Sequence, residues 1–336
     1  MNIWIINHYA MRMYQEESGR HFWLAKFLQE QKHNVLIIGS SNQHFTRNKE
    51  YLSGTLTKDD VKFYIVKGIR YKSNGLLRIL DMMLFSLMVV LKRRSISSVL
   101  KPDLVISSSP HLFAVLSGRV ISRKFKIPLI SEFRDLWPES IVAYNVLSKN
   151  NLLVRFFYIL EKHLYVKSNF IVMTWEGGKD YLINNYKFGN VILDKTYYIS
   201  NCVSIDKYKA DLLISQDPFV DQENPQPKFV FTYTGSISHV NDLFTLVNAF
   251  WVLERENLSI ELRIYGNGSQ KDSLADYIKS NNISNVVLKG HIDRSLIPKV
   301  LSESNVNILH NKSTSLDIYG QSQNKLFDYL AAGKQI

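Results

Sequence analysis

The stretch ISEFRDLWPES, residues 130–140, begins like the end of a buried strand and then sets Glu132, Arg134, Asp135 and Glu139 around Trp137 and Pro138. A carboxylate held where a strand leaves the core can orient or deprotonate a hydroxyl group, and a Trp-Pro pair can stiffen the turn that aims it. Asp135 is the first candidate for that role and Glu139 the second, with Glu132 and Arg134 read as a pair that holds the loop. The competing reading is a solvated surface loop.

A second group lies in SQNKLFDYLAAGK, which predicts a helix capped by Ser322 or Gln323, with Lys325 in its first turn and Asp328 one turn further in. A helix N-terminus beside a lysine makes a phosphate site with a fixed dipole and a mobile charge. A carboxylate one turn along can accept hydrogen bonds from vicinal hydroxyls, as a ribose presents. A plain surface helix with a Lys and Asp pair at (i, i+3) fits the same residues. TYTGSIS places Gly235 directly after a strand, and RIYGNGSQ places Gly266 and Gly268 there ahead of a helix. Each glycine either lets a ligand approach the backbone or makes a turn. The third glycine of a dinucleotide fingerprint is missing, which disfavours an NAD site. In SGRHFWLAKFL, Gly19 and Arg20 open an amphipathic helix where a sugar or phosphate could enter, and His21 reads as a helix-start residue rather than a catalyst.

The elements that must carry these groups alternate between β-rich runs and helical periods. Strands are predicted over 2–6, 34–38, 62–66, 103–107, 128–133, 170–174 and 197–200, with helices such as 19–32 and 152–167 between them. Several of these strands are continuous apolar runs, the mark of a parallel sheet covered on both faces. Residues 206–228 are rich in Asp, Gln and Pro and read as an interdomain connection or a surface excursion. The alternation then restarts, with strands over 229–234, 259–265, 286–289 and 306–309 and helices over 242–256, 270–281, 294–304 and 324–332. The fold class is therefore α/β, with two doubly wound Rossmann-like domains at 1–205 and 206–336, whose strand ends should face a cleft. The second domain stops at GKQI, where another strand is expected, so it reads as incomplete.

At 336 residues and 46% hydrophobic composition, two cores are the default expectation. Cys202 is the single cysteine, and no Cys/His cluster has zinc spacing, which fits a reducing, cytoplasmic location. The start MNIWIINHYAM does not read as a secretory signal. The net charge of +11 admits nucleic acid, anionic lipid or a phosphorylated substrate. Basic and aromatic residues do not interleave as in nucleic-acid modules, which disfavours that partner. Residues 76–94, LLRILDMMLFSLMVVLKRR, are apolar, interrupted by Asp81, and end in three cations. The uninterrupted apolar run within this stretch is far shorter than the roughly 18–20 residues that span a bilayer. Residues 76–94 either lie on an anionic membrane surface or form a buried helix with a basic end.

Taken in order, SGRHFWLAKFL, EFRDLWPES, TWEGGKDYL, YISNCVSIDKY, YTGSISHVNDLFTLVNAF, LRIYGNGSQKDSLADYI, VVLKGHIDRSLIPKVLSESNVNIL and NKLFDYLAAGK resemble the retaining glycosyltransferases of family 4, with the GT-B fold, and cover nearly the whole chain. They look most like bacterial members that build O-antigen or capsule repeat units. The resemblance implies transfer of a sugar from a nucleotide-diphosphate sugar, a UDP-sugar by expectation, to a lipid-linked saccharide. It implies a first domain that binds the acceptor, a second that binds the donor, and an enzyme that works at the inner face of the cytoplasmic membrane. No metal or other cofactor is implied. Gly266, Gly268 and the backbone near His291 and Ile292 would border the nucleobase; Gly235 and Asn324 complete the implied donor set, Lys325 would meet the diphosphate and Asp328 the ribose.

The sequence also departs from the family pattern. The Arg and Lys that many members carry after the glycine matching Gly235 are missing from GSISHVNDL. Of two glutamates eight apart, the counterparts are Gly320 and Asp328, and Cys202 stands where glycine is usual. Lys325 is left as the best cation for the diphosphate. A UDP-sugar 2-epimerase would share the fold and the nucleotide but need no acceptor, and it stands as the first rival, ahead of a basic nucleic-acid-binding protein.

Overall fold

The computed structural model describes residues 1–42, 52–69, 71, 75–214, 229–256, 258–320 and 323–336. Contacts divide the chain into two units, Met1–Ser200 with Ser315–Ser322, and Asn201–Thr314 with Gln323–Ile336.

The first unit is built on β1 (Asn2–Ile6), β2 (Asn34–Ser40), β3 (Gly54–Lys58), β4 (Val61–Val66), β5 (Leu104–Ser109), β6 (Leu129–Phe133), β7 (Phe170–Met173) and β8 (Thr196–Tyr198). These form one sheet in the order β3-β4-β2-β1-β5-β6-β7-β8. Its neighbouring strands run parallel except at the β3/β4 edge. Because successive side chains of a strand point to opposite faces, Trp4 and Ile6 of β1 join one core, with Phe85, Val89 and Ala114, and Ile3 and Ile5 join the other, with Phe22 and Ala25. On the first of these faces the helix Leu112–Phe125 packs against both Leu76–Leu91 and Leu152–Lys167, making a three-helix layer.

The strand order reverses between β1 and β5, the place where a doubly wound sheet opens for a ligand. A buried chain of side chains sits there. The amide of Ala114 donates to His111 Nδ1 (3.2 Å), so that ring's proton lies on Nε2, which reaches His8 Nδ1 at 2.9 Å. His8 Nε2 in turn donates to Asp81 Oδ2 at 2.9 Å. Burial pushes both histidines below their ordinary value, so each is neutral with its tautomer fixed. Asp81 also accepts from Asn42 Nδ2 (3.0 Å) and the Ile69 amide (2.6 Å). The charge that interrupts the apolar helix is thus its anchor to the sheet.

The second unit carries β9 (Phe229–Thr234), β10 (Ile260–Tyr265), β11 (Val286–Gly290) and β12 (Val306–Asn307), all parallel, in the order β11-β10-β9-β12. Its core gathers Tyr233, Ile237, Val247, Leu262, Ile264 and Leu274 between strands and helices. After the helix Asn324–Ala332, Gly333 turns the chain at φ 64°, and Gln335 bridges to Val306 in parallel, with the Asn307 amide donating to Gln335 O at 2.8 Å.

Two features depart from the reading of the sequence. Residues 206–228 were expected to be an interdomain connection or a surface excursion, yet their first part belongs to the helix Ile205–Ile214, and 215–228 lie outside the described residues. The segment Ser315–Ser322, assigned by position to the second domain, clusters with the first unit. The cause is local: the Gly177 amide donates to Tyr319 O at 2.9 Å, and the Tyr319 ring meets Tyr181 edge-on at 5.4 Å. A Cβ at 177 would stand 2.7 Å from Tyr319 Cα, so only glycine admits this approach.

Candidate active site

In the second unit the three glycines that follow strands serve a common end. The Gly235 amide donates to Tyr265 O (2.9 Å), and the Ile237 amide to Asn267 O (3.0 Å), so the two strand-end loops lie against each other. A Cβ on Gly266 would stand 1.8 Å from Gly235 O, and one on Gly268 2.1 Å from Ile237 O. Backbone packing alone therefore demands glycine at 266 and 268. At Gly235 the space a Cβ would fill is bounded by Tyr233 Oη at 3.2 Å and Lys325 Nζ at 3.4 Å, so the lysine lies directly over this turn.

Lys325 reaches that point from the first turn of the helix Asn324–Ala332, beside Asn324. Its Nζ donates to Tyr233 Oη (3.0 Å) and Asn241 Oδ1 (3.3 Å) and sits 4.2 Å from the centre of the Tyr233 ring. Loss of hydration lowers its pKa to about 7, because these neutral partners do not replace the water that a full ammonium needs. Gln323 occupies the N-cap without a side-chain cap bond, and Ser322, the other expected cap, lies outside the described residues.

Asp328 is buried and engaged. Arg294 Nη2 donates to both of its oxygens, at 3.1 and 3.3 Å. That guanidinium opposes the rise in pKa that burial produces, as an opposite charge in contact must. His291 and Ile292 follow the end of β11, His291 exposed and Ile292 half-buried. One cation near the Gly235 loop escaped sequence reasoning. The Lys312 amide donates to Val240 O at 2.9 Å and its Nζ lies 3.2 Å from His239 Nε2. Lys312, on the loop after β12, thus stands by the His239–Val240 segment that follows Gly235. A cation placed just past a strand end was the one signal available for it.

In the first unit Glu132, Asp135 and Glu139 take separate roles. Glu132 is buried and does not pair with Arg134. It accepts from Arg20 Nε at 2.6 Å and His21 Nε2 at 2.7 Å. Those partners sit 112 and 111 residues away in sequence, out of reach of any local reading. Burial pushes Glu132 up, but His21, Arg20 and Arg134 hold its carboxyl well below the ordinary value. Asn7 Nδ2 donates to His21 Nδ1 at 2.8 Å, which fixes that ring as the neutral Nε2 tautomer. Arg20 also donates to the carbonyls of Ser200 and Ile199, so each of its three guanidinium nitrogens has a partner in the framework. Gly19 precedes it at φ 96° and starts the helix Arg20–Glu30.

Glu139 opens the short helix Glu139–Ala143 and accepts a hydrogen bond from Tyr158. The Asp135 side chain has no hydrogen bond or ion pair among the described residues and is exposed to solvent. Protein nevertheless surrounds it closely enough to push its carboxyl up, against the pull of Arg134 and Arg78. Its loop is rigid: the Arg134 amide donates to Ser109 Oγ (3.2 Å), Trp175 Nε1 donates to Arg134 O (2.7 Å), and Leu136 is fully buried. An open carboxylate on a fixed loop past β6 can accept a hydroxyl proton.

Among the described residues no three His, Cys, Asp or Glu side chains are grouped to hold a metal ion. None of the described helices is long and apolar enough to cross a membrane.

Comparison with known proteins fits this architecture. An uncharacterized glycosyltransferase of Methanocaldococcus jannaschii is 24% identical over 192 residues, 56% of this chain and 45% of that relative. The match thus spans less than half the length of the curated relative. HepE of Anabaena, solved in complex with UDP and glucose, superposes with a TM-score of 0.63 at 15% identity, over 99% of this chain and 79% of HepE. The lipopolysaccharide outer core galactosyltransferase WaaB, solved in its apo form, gives 0.54 at 15% identity, over 99% and 79%. At these identities the likeness is one of fold, the pair of parallel-sheet Rossmann-like units called GT-B. The model of Glycosyltransferase Family 4 matches residues 23–207, more than half of the chain. The chain belongs to Glycosyltransferase Family 4.

Proposed function

We propose that the chain is a retaining glycosyltransferase that moves a sugar from a UDP-sugar to a lipid-linked saccharide in cell-surface polysaccharide synthesis, at the inner face of the cytoplasmic membrane. The observation that carries this reading is Lys325. It is a half-buried lysine whose pKa is lowered by loss of hydration, at a helix N-terminus, over a glycine turn at the end of a parallel strand. A diphosphate there returns to the ammonium the charge partner that Tyr233 and Asn241 do not supply, and the first amides of the helix add their dipole. Lys312 adds a second positive charge by the same loop. Asp328, held by Arg294, keeps lone pairs for the ribose hydroxyls. The UDP complex of HepE supports a uridine nucleotide.

In the transfer, the bond between the donor's anomeric carbon and the diphosphate oxygen breaks with both electrons leaving on UDP. Lys325 and the helix amides stabilise the negative charge as it develops. The acceptor hydroxyl forms the new glycosidic bond on the same face, and its proton goes to Asp135 or to the leaving phosphate. Glu139, engaged by Tyr158, holds the loop that presents Asp135. No metal takes part in this scheme.

The test is to offer UDP-sugars to the purified chain and follow UDP release with and without a membrane lipid extract. Release that depends on the extract, and is lost in Asp135→Ala, is the expected result. Transfer by Asp135→Ala at the wild-type level removes Asp135 from the mechanism, and isomerisation of the UDP-sugar without any acceptor replaces transfer by 2-epimerisation.

A further inference from the structure

The three-helix layer of the first unit has an outer face of unusual composition. On Leu76–Leu91 the side chains of Leu77, Leu80, Met83, Leu87 and Leu91 recur every three or four residues and are exposed, Leu91 to 60%. On Leu152–Lys167 the same spacing exposes Leu152, Phe156 and Ile159, the last to 70%. An ordinary surface helix shows water its polar side; these two show water an apolar one.

Charge decides what could cover them. The acidic residues of the three helices are Asp81 and Glu161, and both are buried. Glu161 is taken up by the hydroxyls of Tyr165, Tyr181 and Tyr186. The ionised groups left at the surface of the three helices and of the short helix Arg93–Val99 that follows the first are cations, among them Arg94, Arg123, Lys124, Arg155, Lys162 and Lys167. A stripe of leucines bordered by lysines and arginines with no exposed carboxylate meets both needs at once in an anionic bilayer, acyl chains for the first and phosphate headgroups for the second. A protein partner would have to bring an apolar groove ringed with acid. The helices are 16, 14 and 16 residues long. Each is short of the roughly 20 residues that span a bilayer, so a bilayer would meet them at its surface.

We propose that the outer face of this layer docks the protein on a bilayer of anionic lipid, with Leu76–Leu91 and Leu152–Lys167 as two apolar keels and the cations of all three helices on the headgroups. The layer also joins the surface to the candidate site: Arg78, in the first turn of the keel helix, lies close enough to Asp135 to lower its pKa. Asp81, further along the same helix, fixes it to the switch point of the sheet. This extends the membrane placement proposed above from one helix to a whole face and rests on it only for the identity of the lipid side. The test reads binding and needs no transfer, so either proposal can fail without the other.

The experiment is sedimentation of the full chain with vesicles of phosphatidylglycerol and phosphatidylethanolamine, and with vesicles of phosphatidylcholine alone. Binding to the anionic vesicles that weakens with salt, and that falls about tenfold or more in Leu80→Glu and in Ile159→Glu taken singly, is the expected result. Reversal of charge in Arg123→Glu with Lys124→Glu lowers it further, and Val252→Glu, an exposed apolar position of the second unit, leaves it unchanged. Unaltered thermal melts keep loss of fold from imitating loss of binding. The proposal is overturned by equal binding to phosphatidylcholine, by helix variants that bind as wild type, or by a dimer in solution that Leu80→Glu and Ile159→Glu dissolve, since that face would then belong to a second copy.

Discussion

With a pKa of about 7, Lys325 is half protonated at neutral pH. If the ammonium form alone grips the diphosphate of a UDP-sugar, the affinity follows the protonated fraction. It falls about tenfold from pH 6 to pH 8 and about fiftyfold from pH 7 to pH 9. The diphosphate diester of a UDP-sugar has no ionisation in that range, so the slope belongs to the protein. The free protein moves the other way. Between the folded value and the ordinary lysine value of 10.5 the unfolded chain holds a proton that the folded chain lacks, so stability without donor rises as pH climbs above 7. Lys325→Met keeps the length and loses the charge. A charge-assisted hydrogen bond contributes about 1.5–3 kcal/mol, so the variant binds tenfold to more than a hundredfold more weakly near pH 6.5, with a flat pH profile. Isothermal titration calorimetry at pH 8, in two buffers of different ionisation enthalpy, adds an independent reading: approximately one proton taken up per donor bound. An affinity that is level across pH 6–9, or Lys325→Met binding as tightly as wild type, refutes the assignment.

Three further variants test the framework. Glu132→Ala leaves Arg20 charged and His21 without its acceptor in a buried site, and urea titration should show a loss of about 3–5 kcal/mol. Because the Glu132 value is depressed, its contribution to wild-type stability is complete above the ordinary carboxylate range and disappears as pH falls through the folded value. Gly266→Ala places a methyl group 1.8 Å from Gly235 O at a φ of +153°. Thermal melting should show that it lowers stability by about 3 kcal/mol or more. Gly189→Ala meets nothing within 4 Å, and its stability should stay within about 0.5 kcal/mol of wild type.

The strands of both sheets could be read closely from apolar runs, because a parallel sheet buried on both faces leaves a strong local signal. The spans 2–6 and 229–234 coincide with β1 and β9, and 152–167 and 324–332 with their helices. β3 left no such mark. It is an edge strand paired antiparallel to β4, with side chains of alternating partial exposure and little apolar content. Side chains whose meaning lies in distant partners were also opaque. Glu132 looked like the partner of Arg134 because only neighbours are visible in a sequence, yet the fold brings Arg20 and His21 to it across the sheet. The glycines at 266 and 268 suggested ligand approach or a turn, and the backbone neighbours that exclude a Cβ there come from another strand-end loop. Lys325 could be placed at its helix start by pattern, but its desolvation depends on Tyr233 and Asn241, which come from another strand and loop.

The division of the chain also bears on how it can be taken apart. The polypeptide passes from one unit to the other at 200/201, 314/315 and 322/323. No single cut yields two complete pieces. A fragment ending near residue 200 lacks Leu316 and Tyr319, both members of the core cluster around Tyr181 and Leu182. It exposes the face of Tyr181 that Tyr319 covers and leaves the Gly177 amide without its acceptor. Dissection into stable halves therefore calls for a circularly permuted or co-expressed arrangement in which residues 315–322 travel with the first unit.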